Sequence, residues 1–121
     1  MSGLRTVIYK VSDIEKAKAW YAKAFKTEAY FDEPFYVGFN IGGYELGLQP
    51  DDQPAEAKTE SVVAYWAAGD IDKAYRHFTD IGASESEKPF NVGGPIMTAT
   101  VKDPWGNTIG LIYNPEFKLA K

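Results

Sequence analysis

Asp103-Pro104-Trp105-Gly106-Asn107 runs directly into Thr108-Ile109-Gly110-Leu111-Ile112-Tyr113. The first five residues spell a turn. Asp103 suits the opening position of a type I turn, because its carboxylate can accept from backbone N–H groups ahead of it. Pro104 presets φ for the next position, and Gly106 permits a tight exit. The six residues that follow read as a strand, with Ile109, Leu111 and Tyr113 on one face and Thr108, Gly110 and Ile112 on the other. A glycine in mid-strand weakens the strand and leaves a gap where a side chain would stand. Gly110 therefore needs a reason.

Working outward, the same arrangement occurs twice. In the first half, Leu4–Tyr9 reads as a strand, with Ser12 and Asp13 as cap candidates. A helix follows from about Ile14 to Phe25, with Ile14, Ala17, Trp20, Tyr21, Ala24 and Phe25 at helical spacing. Strand signals come at Glu28–Asp32, Tyr36–Ile41 and Tyr44–Gln49, the last two joined by a Gly42-Gly43 turn. Residues 50–60 are polar and hold two prolines, which marks a linker. The second half restarts with a strand at Ser61–Trp66, a cap at Asp70 and a helix at about Ile71–Ile81 stopped by Gly82. Strands follow near Glu85–Phe90, Ile96–Lys102 and Thr108–Tyr113. Asp13-Ile14-Glu15-Lys16-Ala17 matches Asp70-Ile71-Asp72-Lys73-Ala74, Tyr21 matches Phe78, and Leu46-Gly47-Leu48 matches Ile109-Gly110-Leu111. Such self-similarity is an internal repeat. The fold class is α+β. One domain over 1–121 contains two βαβββ modules, 4–49 and 61–113, joined by 50–60 and followed by a tail, 114–121. A sheet with one helix on one face leaves its other face bare, so the two sheets are expected to curve around a cleft.

This pattern resembles the vicinal oxygen chelate superfamily of glyoxalases, bleomycin resistance proteins and extradiol dioxygenases. The resemblance rests on Val11-Ser12-Asp13-Ile14-Glu15-Lys16-Ala17 with Trp20-Tyr21, and on Asp103-Pro104-Trp105-Gly106-Asn107, each in its proper half. It implies that metal-dependent members carry His or Gln on the first strand of a half and Glu on its last strand. It also implies a homodimer. Transferred residue by residue, the ligand positions are Thr6, Gly47, Val63 and Gly110. None supplies the donor that the metal chemistry needs: threonine is a poor neutral ligand, valine has no lone pair, and glycine has no side chain. No metal and no cofactor is therefore expected. His77, the sole histidine, falls within the second helix and reads as a surface or helix–sheet residue.

With two carboxylates replaced by glycine, the helix-free faces are expected to offer a metal-free pocket for a small organic molecule, cationic or aromatic in character. Its lining would be Thr6, Ile8, Gly47, Val63, Tyr65, Gly110 and Ile112, with Glu45 or Lys10 as the polar contact and Lys10 as a partner for Glu45. Aromatics of Phe35-Tyr36-Val37-Gly38-Phe39 could add walls, while Trp20, Tyr21, Trp66 and Phe78 read as structural. On this reading Gly110→Leu should block a ligand and leave the fold intact.

A net charge of −4 argues against nucleic acid, whose phosphates require a basic face. No apolar run approaches membrane-spanning length, and Met1–Arg5 shows no signal-peptide core. The absence of cysteine excludes disulfides, thiolate metal sites and cysteine nucleophiles, and a cytoplasmic location is the simple expectation. Three functions compete: a binding protein of the resistance or sequestration type, an enzyme (a lyase, isomerase or dioxygenase, or a metal-free acid–base variant), and a ligand-free dimeric interaction module.

Overall fold

The computed structural model describes residues 1, 3–52, 58 and 62–117. The chain divides into two compact units, Met1–Lys58 and Thr59–Lys121. In the first unit the elements are β1 (Thr6–Val11), α1 (Ile14–Phe25), β2 (Phe31–Glu33), β3 (Tyr36–Ile41) and β4 (Tyr44–Pro50). The second contains β5 (Tyr65–Ala67), α2 (Ile71–Asp80), β6 (Ser84–Gly93), β7 (Ile96–Lys102) and β8 (Thr108–Tyr113). The sheet orders are β1-β4-β3-β2 and β5-β8-β7-β6. In each, the first strand pairs in parallel with the last, and the remaining pairs are antiparallel. The repeat in the sequence is thus a repeat of topology.

Both helices begin by one device. Asp13 and Asp70 stand in extended backbone, and each carboxylate accepts from the backbone N–H three residues on, Lys16 and Lys73, at 3.1 Å. Each satisfies one of the donors that a helix N-terminus leaves without an intrahelical partner. In the first unit, Ala17, Tyr21 and Ala24 of α1 are buried with Tyr9, Val11, Val37, Phe39, Leu46 and Leu48. Tyr21 stacks on Tyr9 and on Phe25, with ring centroids 5.6 and 6.0 Å apart. In the second, Ile71, Tyr75 and Phe78 are buried with Ala99, Val101, Ile109 and Leu111. Alternation along the strands then sends their other residues to the helix-free face.

The turn after β7 is built as its sequence dictates. Asp103 is buried, and its carboxylate accepts from the backbone N–H of Trp105 at 2.9 Å, the backbone N–H of Asn107 at 2.7 Å and the Asn107 side-chain amide at 2.9 Å. Gly106, at φ +88°, gives the left-handed exit. Between β3 and β4 both turn glycines have positive φ, and Asn40 accepts from Gly43 N–H at 2.9 Å.

Six elements differ in their bounds from the sequence reading. The first strand is Thr6–Val11 where Leu4–Tyr9 was expected, and β4 runs one residue further, to Pro50. The strand expected at Glu28–Asp32 is the three-residue β2, Phe31–Glu33; the ladder to β3 covers those residues, and Tyr30 before them makes a single N–H bond to Gly38 O. The strand expected from Ser61 reduces to Tyr65–Ala67, the stretch opposite Gly110–Ile112; Ser61 lies outside the described residues. Helix α2 closes one residue early, with Ile81 as its cap. Strand β6 is longer than expected and takes in Pro89, which an irregular strand at the sheet edge tolerates.

Candidate functional site

In the first unit the register fixes what the helix-free face contains. Val37 opposite Leu48 and Phe39 opposite Leu46 are core pairs. Their neighbours Tyr36, Gly38, Glu45 and Gly47 therefore point the other way, with Thr6 opposite Glu45 and Ile8 opposite Gly47 on β1. The centre of this face is the Glu45 carboxylate. The Thr6 hydroxyl donates to its Oε1 at 2.9 Å, and the Tyr30 hydroxyl donates to its Oε2. The Tyr36 hydroxyl is a third donor.

These bonds set the protonation of the group. The Tyr30 hydrogen bond, assisted by those from Thr6 and Tyr36 and opposed by burial, holds the Glu45 carboxyl below its ordinary value of 4.5. Burial, and then the bond to Glu45, pushes the Tyr36 hydroxyl up to about 12. Tyr30 is likewise raised, chiefly by its bond to Glu45. At neutral pH the cluster is one carboxylate accepting from hydroxyls that keep their protons. An aromatic cluster adjoins it through Tyr36: Phe31 lies 6.2 Å from Phe35 and 6.1 Å from Tyr36, centroid to centroid. Tyr30 and Phe35 are 63% and 65% exposed, unusual for large rings on a folded chain.

The glycines of this face are not empty space. A Cβ on Gly47 would stand 2.6 Å from Tyr36 Cζ and closer still to its hydroxyl oxygen. A Cβ on Gly38 would meet Glu45 Oε2 at 2.8 Å and Tyr30 Cε1 at 3.0 Å. Each glycine lets a tyrosine lie against the sheet, and the gap expected at Gly47 is filled by Tyr36. In the second unit the gap expected at Gly110 is filled in the same way. Its Cβ would lie 2.6 Å from Tyr65 Cδ1 and 2.8 Å from the backbone oxygen of Ala64. The expectation that Gly110→Leu leaves the fold intact is therefore corrected, since any side chain there collides with backbone.

The expected site residues are divided between the two units. In the first unit, Thr6, Glu45 and Gly47 gather around the carboxylate, and Ile8 is 44% exposed beside them. Lys10 stands opposite Gln49, further along β1 than the Ile8–Gly47 pair. Among the described residues the partners of Glu45 are Thr6, Tyr30 and Tyr36, so the expected Lys10–Glu45 pair is replaced by hydroxyl donors. In the second unit, Tyr65 sits opposite Gly110 and is 45% exposed, and Ile112 faces Ala67 and Thr98. Val63 precedes β5 and makes no strand pairing. Tyr30 escaped the sequence reading because the sequence assigns no face to the strand expected at Glu28–Asp32; in the structure it lies just before β2 and reaches Glu45 across the sheet. Tyr36 is legible only as a member of an aromatic run whose core face the sequence leaves open; the structure buries Val37 and Phe39 and so turns Tyr36 to the opposite face.

Residues 3–111 match the Glyoxalase/Bleomycin resistance protein/Dioxygenase superfamily. The chain belongs to that superfamily. Solved structures share the fold at low identity. A glyoxalase-related enzyme from Fulvimarina pelagi has a TM-score of 0.78 at 14% identity, over 99% of this chain and 94% of its own. The fosfomycin resistance protein FosX from Listeria monocytogenes has 0.78 at 18%, over 96% of each chain. A bleomycin resistance determinant encoded on transposon Tn5 has 0.75 at 18%, over 93% and 98%. No curated protein matches the chain.

Membership makes the metal question specific. Thr6 gives its hydroxyl proton to Glu45, Gly47 and Gly110 lie beneath tyrosine rings, and Val63 is apolar. Among the described residues no three His, Cys, Asp or Glu side chains converge on one point. His77 is on α2, edge-on to Phe78 with ring centroids 6.0 Å apart. The residues at the superfamily's ligand positions therefore do not fit a divalent metal. Among the described residues no helix is long and apolar enough to cross a membrane.

Proposed function

We propose that this superfamily member binds a small organic molecule on a helix-free sheet face, in the manner of a resistance or sequestration protein. The observation that carries the reading is the first unit's face. An ionised carboxylate is held by three hydroxyls and adjoined by an aromatic cluster with exposed rings, on the face where a metal-dependent relative would need ligands. A few fixed polar groups among apolar walls are the ordinary make-up of a small-molecule site. The contacts proposed there are Thr6, Ile8, Glu45 and Gly47, with Tyr30 and Tyr36 added by the structure and Lys10 at the margin. On the second unit, Tyr65 and Ile112 form a separate apolar surface with Val63 and Gly110, and a ligand contact there is proposed on the same grounds.

The names of the bleomycin and fosfomycin resistance relatives support a protective role without naming the compound. We place the protein in the cytoplasm as a homodimer; light scattering that gives only about one chain's mass, 13.4 kDa, at micromolar concentration would refute the dimer. Binding is tested by thermal-shift screening of organic compounds, with elemental analysis of the same sample. A ligand-induced rise in melting temperature without metal supports it. Stoichiometric metal whose removal destabilises the protein favours the metal-dependent enzyme. No shift with any compound leaves the interaction module.

A further inference from the structure

We propose that the ligand of the first unit is an organic ammonium ion, with its nitrogen against Glu45 and its apolar body on the rings of Tyr30, Phe31, Phe35 and Tyr36. This rests on the binding role proposed above and narrows it to one chemical class. Three observations carry it.

The first is uncompensated charge. Among the described residues every partner of Glu45 is a neutral hydroxyl. Hydroxyl donors satisfy lone pairs but leave the full negative charge in place. A carboxylate has about four acceptor directions; Thr6, Tyr30 and Tyr36 use three, which leaves one for an incoming N–H. The second is fixity. Thr6 approaches from β1, and Tyr36 from β3, so the carboxylate is held from both flanking strands and loses little freedom when it captures a cation. The third is the nature of the walls. Phe31 is in ring contact with Phe35 and with Tyr36, and Tyr36 adjoins the carboxylate. Tyr30 reaches it directly, and Tyr30 and Phe35 are more than half exposed. Ring faces attract cations, and a charge close to both a carboxylate and aromatic faces gains from each. An anionic ligand would meet Glu45 as a like charge, and a neutral one would leave its charge unanswered.

Two basic side chains of the first unit are placed elsewhere. Lys18 lies on α1 and is engaged by Glu15 at 3.2 Å and Asp32 at 2.9 Å. Lys10 is opposite Gln49.

The test uses the full-length protein with three probes of one shape: benzylammonium, benzyl alcohol and benzoate. Binding is followed by NMR titration at low salt. Benzylammonium should bind about tenfold more tightly than benzyl alcohol, the advantage of a charge-assisted over a neutral hydrogen bond. Benzoate should bind most weakly. Glu45→Gln keeps the side chain's shape and should erase the preference for the ammonium ion while benzyl alcohol still binds. Tyr30→Leu retains the charge and should weaken benzylammonium several-fold. Both variants are checked for a native near-ultraviolet spectrum. If Glu45→Gln does not fold, raising the salt concentration on the parent replaces it, and the preference for the ammonium ion should shrink. Equal binding of ammonium and alcohol, or a preference that survives Glu45→Gln or high salt, overturns the cation assignment and leaves the binding role standing. Failure of all three probes, together with a negative thermal-shift screen, removes both.

Discussion

Gly47 and Gly110 occupy equivalent positions in the two repeats, yet substitution by alanine should affect them differently. At Gly47 the three nearest atoms to a new Cβ all belong to the Tyr36 side chain. The ring can swing aside, and what is lost is its hydrogen bond to Glu45, about 1 kcal/mol. At Gly110 the new Cβ meets Tyr65 and also the backbone oxygen of Ala64 at 2.8 Å. That carbonyl accepts from Gly110 N–H at 2.9 Å and cannot retreat without breaking a sheet bond. Overpacking of this kind costs about 1–3 kcal/mol. At roughly 4 °C per kcal/mol for a chain of this size, Gly47→Ala should lower the melting temperature by about 4 °C and Gly110→Ala by about 8 °C. A double-mutant cycle in urea separates the causes. In a Tyr36→Ala background Gly47→Ala should become nearly neutral, because the colliding atoms are gone. In a Tyr65→Ala background Gly110→Ala should still cost more than half its original penalty, because the carbonyl remains. Gly110→Ala melting with the parent, or Gly47→Ala costing the same with and without Tyr36, would refute the reasoning.

Asp103→Ala removes three hydrogen bonds from a buried carboxylate and should cost about 2–4 kcal/mol in urea unfolding; a loss below about 0.5 kcal/mol would show that the turn stands without its anchor. Asp13→Ala and Asp70→Ala each delete a helix cap and should cost about 0.5–2 kcal/mol, checked by helical circular dichroism during thermal melts. Glu45 has a depressed folded pKa, so its contribution to stability is present above the ordinary value of 4.5 and is lost as pH falls through the folded value. Glu45→Gln should therefore flatten the acid limb of the stability–pH curve. Tyr36 and Tyr75 have folded values pushed up to about 12, the second by burial and then by its bond to Glu85. Their contribution is complete below 10 and fades as pH rises from 10 to 12. Absorbance near 295 nm should show tyrosines that titrate late, and Tyr36→Phe or Tyr75→Phe should each reduce their number by one.

The sequence by itself determined the repeat, both helix starts, the Asp103 turn and the alternation of the first and last strands. These follow from interactions between near neighbours in the chain. A carboxylate three residues before a backbone N–H forms a cap wherever the chain goes. Which way Tyr36 points was settled by the burial of Val37 and Phe39. The sequence also put threonine, glycine, valine and glycine at 6, 47, 63 and 110, the positions that the resemblance marks for metal ligands, which is a matter of residue type alone. Only the tertiary structure decided what fills the glycine positions. Whether Gly47 is a hole or a bed for Tyr36 depends on a ring arriving from the next strand, and a count along one strand cannot show it. The partner of Glu45 was likewise undecided: charge alone favours Lys10, but the parallel register places Thr6 opposite Glu45 and Lys10 opposite Gln49. Tyr30, outside any strand and fifteen residues before Glu45, reaches the carboxylate because its backbone N–H bonds Gly38 O at 2.9 Å. That bond joins residues brought together by folding, so the central cluster of this face becomes visible only once the sheet has formed.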